Sequence, residues 1–376
     1  MYKIMTPGPT QVAENVRTAC SLVCTNPDLD EQFVDFYKET CELISRLLDT
    51  SNETLILDGE GILGLEAACA SLTEPGDRVL VLDNGVYGKG FADFVTMYGG
   101  IPEFYHADYL ETLDVNALED FLKEHHDYKY ATLVHCDTPS GMLNDISKIC
   151  PMLKKYGILT VVDSVSGMFG EEVHVDAWQI DLLCGGSQKA VSAPPGLSFV
   201  TISEDAKASM KNRKTKIASF YANLSVFEGY YVKKWFPYTM PISDIYGLRT
   251  AFDNIAADTT LYTRHAKIGN ATRKAITDAG LHLHLKSGFS NTVTVFDVPE
   301  GMTADAILST IRDSYGIMLA GSFDVLDGKV IRIGHMGTNA TLENMIATMR
   351  ALSHTFEDLG HPLSTDLASA FLKYYA

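Results

Sequence analysis

Two residues of this chain are spaced for carbonyl chemistry. The apolar run ILTVVDSV (158–165) reaches Asp163, and the run IDLLCGG (180–186) leads into Ser187-Gln188-Lys189, which places the lysine 26 residues after the carboxylate. In an open parallel sheet, ligands settle outside the carboxyl ends of the strands, so an acid and an amine at two such ends face one crevice. That pair suits a pyridoxal cofactor. The lysine condenses with the aldehyde as a Schiff base, and the carboxylate keeps the pyridine nitrogen protonated so that the ring accepts electrons. Small neighbours that exclude water also ease loss of the lysine proton, as an amine nucleophile needs.

Further candidates gather around the pair. Tyr87, in NGVYGKG, follows the run VLVLD and can stack on a pyridine face. Thr138, in HCDTPSG (135–141), can bond the ring hydroxyl, with His135 packed behind it. Arg332, in KVIRIG, offers the planar fork that binds a carboxylate bidentately, which fits an amino-acid or oxo-acid substrate. Each has a plainer alternative: a helix cap for Asp163, a surface lysine for Lys189, core packing for Tyr87 and His135, and an ion pair for Arg332. A dinucleotide fingerprint competes as well. Gly59-Glu60-Gly61-Ile62-Leu63-Gly64 matches GxGxxG, and Asp83 lies 24 residues past Gly59, where a ribose-binding acid is expected. The Glu60 charge inside that loop would face a pyrophosphate and argues against it.

The elements that hold these residues read as strands alternating with helices. The strand candidates are 54–58, 77–83, 101–106, 130–136, 158–165, 180–186 and 197–203, with amphipathic stretches such as 64–72 and 145–157 between them. Continuous apolar strands separated by helices indicate an α/β fold with a mostly parallel seven-stranded sheet covered on both faces. The last strand follows a Gly/Pro-rich loop rather than a helix, so it is expected to pair differently. From about 258 the pattern changes to a long polar helix and short strands at 291–299, 316–321 and 329–334. The expected organisation is a segment 1–14 that reaches the active site or the small domain, a large domain 15–257, and a smaller C-terminal α+β domain 258–376.

Composition narrows the partners. The formal net charge is −18, which disfavours nucleic acid and anionic membrane surfaces. No run approaches the ~20 apolar residues of a membrane span. Seven cysteines without a CxxC pair fit free thiols in a reducing cytoplasm, and no metal site is expected. A desulfurase would need a catalytic cysteine in the later half, and none follows Cys184.

The segments TPGPT (6–10), GLEAA (64–68), NGVYG (84–88), HCDTPSG, VVDSVSG, GGSQKA, APPG (193–196) and VIRIGHMG (330–337) resemble the class V, fold-type I aminotransferases across nearly the whole chain. The resemblance implies a pyridoxal 5'-phosphate enzyme acting on a small-molecule amino donor and a 2-oxo acid, and a homodimer with shared active sites. Lys189 would be the catalytic amine and proton carrier, Asp163 the ring-nitrogen partner, and Arg332 with Gly8 the substrate acid site. Ser187 and Gln188 would lie near the cofactor, and Thr239, in FPYTMPIS, would arrive from the neighbouring subunit. GGSQKA with APPG is similar to the alanine–glyoxylate and serine–pyruvate branch. Where that branch offers serine, glycine and histidine to the cofactor phosphate, this chain has Glu60, Gly61 and Ile62, and Phe236 replaces a tyrosine that would reach it from the other subunit. A carboxylate at ~4 Å from a phosphate costs roughly 4 kcal/mol per unit charge pair at an effective dielectric of ~20.

ILDGEGILGLEAACASL, GVYGKGF, DTPSG, FPYT and RIGHMG are also similar to the pyridoxamine–pyruvate branch of the family, which uses unphosphorylated pyridoxamine as a substrate and carries a glutamate in this loop. That branch has a second arginine nine residues before the carboxylate clamp, where this chain has Phe323. The expected reaction is transfer of an amine from pyridoxamine to pyruvate, giving pyridoxal and alanine. The alternative is an alanine–glyoxylate or serine–pyruvate type transaminase with retained pyridoxal 5'-phosphate.

Overall fold

The computed structural model describes residues 2–376. Its main sheet has seven strands, numbered here in chain order: β1 Glu53–Asp58, β2 Arg78–Asp83, β3 Ile101–His106, β4 Tyr130–Val134, β5 Leu159–Asp163, β6 Leu182–Gly186 and β7 Leu197–Ile202. Their spatial order is β1-β7-β6-β5-β4-β2-β3. Only β7 runs against its neighbours: Leu197 pairs with Asp58 on β1, and Ser198 with Gly186 on β6. The short loop from Lys189 to Gly196 explains the reversal, because a parallel return needs a crossover of a dozen or more residues.

The central strands are largely apolar because helices cover both faces, with Thr132 and Thr160 the buried polar exceptions in β4 and β5. Val79–Leu82, Tyr130–Val134 and Leu182–Cys184 are almost fully buried. Each buried Val or Leu side chain contributes about 2 kcal/mol against leaving it in water. The register that matters for the site is β5 on β6, with Asp163 opposite Cys184. A side-chain clamp helps to hold it. Asp181 accepts the Thr160 N–H at 3.1 Å, its own N–H donates to Thr160 Oγ1 at 2.9 Å, and Lys154 Nζ neutralises it at 2.6 Å.

A second core lies apart from this one. It joins Met5 to residues from Ile268 to Phe371. There the strands Val293–Asp297 and Val330–Gly334 pair antiparallel, with Val295 opposite Arg332, and the long helix Leu261–Asp278 packs beside them. The N-terminal strand Lys3–Ile4 joins Ile317–Met318 in parallel, so the first residues of the chain are tied to the last third. No helix among the described residues is long and apolar enough to cross a membrane.

Candidate active site

At the carboxyl ends of the strands lies a cavity of about 110 Å³, lined by Glu60, Gly61, Ile62, Tyr87, Thr138, Asp163, Gln188 and Lys189 among others. Five loops supply these residues, following β1, β2, β4, β5 and β6. Eight of the residues singled out in the sequence therefore share one small space.

Lys189 Nζ donates to the Pro7 carbonyl at 2.9 Å. Gly8 sits directly on the lysine, with φ +101°, and a Cβ there would lie 2.4 Å from Lys189 Cδ and 2.7 Å from Nζ. Only glycine combines that left-handed backbone with so close an approach. The segment TPGPT thus closes the site from the far end of the chain. Burial pulls the Lys189 ammonium down to about 8, and the Arg332 guanidinium pushes the same way against the opposing pull of Asp163. Burial raises the Asp163 carboxyl to about 6, although the Val165 N–H, bonded to Oδ1 at 2.9 Å, favours its anion. Asp163 therefore closes a local turn with one oxygen and presents its carboxyl to the cavity as well.

Tyr87 opens the helix Val86–Met97 and lines the cavity wall. Its N–H donates to Asp137 Oδ1 at 3.1 Å, and Asp137 Oδ2 accepts from Ser140 Oγ at 2.6 Å. Asp137 thus fixes Tyr87 against the Thr138 loop. Sequence reasoning missed this positioning residue, although it stands inside HCDTPSG. Ser166 was missed as well. It lines the cavity, and its buried hydroxyl has no partner. The carbonyl oxygen of the Gln188 side chain is likewise buried and unpaired.

The remaining candidates divide. Arg332 does not line the cavity but stands beside the Thr138 loop: its Nε donates to Gly321 O at 2.5 Å and its Nη1 to Thr138 O at 3.4 Å. Burial lowers its pKa from the ordinary arginine value. Ser187 is fully buried, but its hydroxyl donates to Pro194 O at 2.6 Å and accepts from Leu197 N, so it serves the loop into β7. His135 stands behind the β5 turn with Nδ1 at 2.8 Å from Ser164 Oγ, and burial lowers its pKa to about 4. Phe236 is 1% exposed and packs against Phe33, Tyr37 and Tyr230 of its own chain. Thr239 lies on the exposed surface, 3.5 Å from Asp28. Neither lines the cavity of this chain.

The glycine-rich loop has its own arrangement. Glu60 caps the helix Gly61–Leu72, with Oε1 accepting the Ile62 N–H at 3.1 Å. Its Oε2 accepts Gln188 Nε2 at 3.2 Å. Asp83, the acid of the dinucleotide fingerprint, is buried and bonded to His106 Nδ1 and the Tyr109 hydroxyl. It is not free for a ribose, so the glycine pattern is not a dinucleotide fingerprint here.

The family model for aminotransferase class-V matches residues 6–321. The chain is a class V aminotransferase. This aminotransferase is 34% identical to pyridoxamine–pyruvate transaminase of Mesorhizobium japonicum, over 90% of its own length and 87% of that protein. It is 30% identical to alanine–glyoxylate aminotransferase of Callithrix jacchus, over 94% and 87% of the two chains. The structure of ureidoglycine–glyoxylate aminotransferase from Bacillus subtilis superposes with a TM-score of 0.95 at 28% identity, covering 100% of this chain and 98% of that one. Members of this family depend on pyridoxal 5'-phosphate. The donor set of the cavity fits the ring of that group: an amine, a carboxyl, an aromatic wall and two unpaired polar atoms.

Proposed function

We propose that this aminotransferase moves the amino group of pyridoxamine to pyruvate, giving pyridoxal and alanine. The observation that carries the reading is the Glu60 carboxylate at the N-terminus of the helix Gly61–Leu72, held by Ile62 N–H and the Gln188 amide. A helix N-terminus is a ready anion site. Here the protein supplies the anion itself, which engages the Ile62 N–H and the Gln188 amide N–H that a phosphate could otherwise use. The unpaired Gln188 oxygen beside it is an acceptor, as is the carboxylate. Two acceptors suit the hydroxyl of an unphosphorylated vitamer and repel a phosphate. The similarity to pyridoxamine–pyruvate transaminase supports the same reading.

Bound in this cavity, the pyridine ring would supply the electron sink for loss of hydrogen from the amine-bearing carbon. Asp163 would hold the ring-nitrogen proton, and Lys189 Nζ would accept the proton released and give it back. Tyr87 would cover a face of the ring and Thr138 would bond its hydroxyl. Arg332 would grip the carboxylate of the acid substrate, while Gly8 lets the Pro7 carbonyl reach the lysine. A second copy of the chain completes the assembly.

The test is turnover by protein freed of bound vitamer. Pyridoxamine with pyruvate should give pyridoxal and alanine, and Lys189→Ala should lower the rate by about 10³-fold or more while leaving the circular dichroism unchanged. Inactivity there, with activity on alanine and glyoxylate once pyridoxal 5'-phosphate is added, would favour the alternative with a retained cofactor.

A further inference from the structure

A second cavity, of about 620 Å³, shares no lining residue with the active-site cavity. Its walls are the segment from Leu143 to Ser147, the turn from Gly170 to Glu172, and the first turns of the helix Leu261–Asp278. Sites for small organic ligands run from about 300 to 1,000 Å³, so the space is ample for one.

Three side chains at this cavity keep a polar atom without a hydrogen-bond partner among the described residues. His135 is 4% exposed and uses only Nδ1, at 2.8 Å from Ser164 Oγ, which leaves Nε2 free. Trp178 and Tyr262 line the same space, and neither the indole N–H nor the phenol hydroxyl is bonded. The His174 ring stands edge-on to Trp178 at 5.3 Å and 82°, which helps to fix the indole. A buried polar atom without a partner costs free energy, so Nε2 gains from any ligand that bonds it.

The wall also has one sign of charge. Asp145, Glu171 and Glu172 line the cavity, and no lysine or arginine does. Asp145 is answered from outside by Lys148 at 2.7 Å. Glu171 accepts from Ser290 Oγ at 3.1 Å and from the Asn291 amide at 3.0 Å, with Arg273 near enough to act on it. Glu172 has no partner. Burial first, then the charges of Glu172 and Asp49, push the Tyr262 hydroxyl up to about 12, so the free carboxylate acts directly on that ring. An anion is repelled here, whereas a cation gains from the carboxylate and from the aromatic faces.

We propose that this cavity is a second binding site, for a small protonated amine with an aromatic or apolar body. Glu172 supplies the counter-charge, and Trp178 and Tyr262 supply the aromatic walls. A neutral imidazole that donates from Nδ1 to Ser164 has an acceptor at Nε2, which takes the ammonium N–H. The site does not depend on which vitamer the reaction uses.

The chain has two tryptophans, Trp178 and Trp235, so in Trp235→Phe the fluorescence reports on this cavity alone. The probe is N,N-dimethylbenzylamine, which is protonated at neutral pH, carries one N–H and, as a tertiary amine, forms no Schiff base. It should change the Trp178 emission saturably, with a Kd on the order of 1 mM or tighter. Phenylacetate, with a similar body and the opposite charge, should not. Glu172→Gln should weaken the amine by about 2- to 5-fold, and Tyr262→Leu by about 3- to 30-fold. Both changes lie at the rim of the cavity, and calorimetric titration of the unmodified protein gives the same Kd without any variant. Loading the active site with pyridoxal should leave the titration unchanged. No saturable change, equal binding of phenylacetate, a Kd indifferent to both substitutions, or competition by pyridoxal would overturn the proposal.

Discussion

Glu60→Gln isolates the charge that caps the helix Gly61–Leu72. Glutamine can still accept the Ile62 N–H, so the helix cap survives, and a lost cap would in any case cost only about 1 kcal/mol. What disappears is one negative charge, and what appears is an amide N–H able to donate. At ~4 Å and an effective dielectric of ~20, the repulsion removed is roughly 4 kcal/mol per unit charge pair. Glu60 is partly exposed, so water screens some of this, and the affinity gain for a phosphate should fall between about 10- and 1,000-fold. The informative quantity is a ratio: the Kd of pyridoxal 5'-phosphate divided by that of pyridoxal, each measured by equilibrium dialysis. The unmodified protein should give a ratio above one, and Glu60→Gln should lower it by that factor. Raising the salt should shrink the difference between the two proteins, because the exposed part of the repulsion is screened over a Debye length of about 8 Å at physiological ionic strength. A phosphate that binds the unmodified protein more tightly than pyridoxal does, or a ratio indifferent to Glu60→Gln, would refute the reasoning.

Other perturbations follow from the same geometry. With Asp163 at about 6 and Lys189 at about 8, kcat/KM for pyridoxamine should climb with pH in two limbs near those values, one as the acid ionises and one as the amine loses its proton, and then level off. A flat profile across that range would count against both roles. Gly8→Ala forces a Cβ onto Lys189 at 2.4 Å, so kcat should drop by about 10²-fold or more with only a modest change in Tm. Acid should also unfold the chain through its buried histidines. His265 donates from Nδ1 to Leu261 O and accepts the Gly337 N–H at Nε2, an arrangement only the neutral ring can make, and burial lowers its pKa to about 4. A pKa depressed on folding contributes stability that is present above the unfolded value of about 6.5 and is lost as pH falls towards the folded value, here on the order of 3 kcal/mol. Tm should therefore decline through that window, and His265→Gln, measured by scanning calorimetry, should decline less steeply.

The sheet was readable because its central strands are buried on both faces, so β2, β4, β5 and β6 appear as largely apolar runs. The reversed strand β7 was signalled by its loop, which is too short for a crossover. Asp163 and Lys189 were legible because a charge at the end of such a run is conspicuous. Asp137 was not, since its task depends on Tyr87, 50 residues away and brought beside it only by the fold. The place of Gly8 on Lys189 is another long-range fact, set by the pairing of Lys3–Ile4 with Ile317–Met318. Ser187 read as a cofactor donor because it adjoins Lys189, yet the bond to Pro194 turns its hydroxyl into the loop. The glycine pattern was misleading for a physical reason. It marks a tight strand-to-helix turn, which serves a capping carboxylate as well as a pyrophosphate.

The account stands or falls on whether the vitamer is consumed. The direct measurement counts pyridoxal released per chain when protein freed of vitamer meets excess pyridoxamine and pyruvate, with no phosphorylated vitamer present. The account predicts a count that keeps rising far beyond one per chain, matched by alanine. A count that stops at one would mean a vitamer that stays bound as a cofactor, and would contradict it.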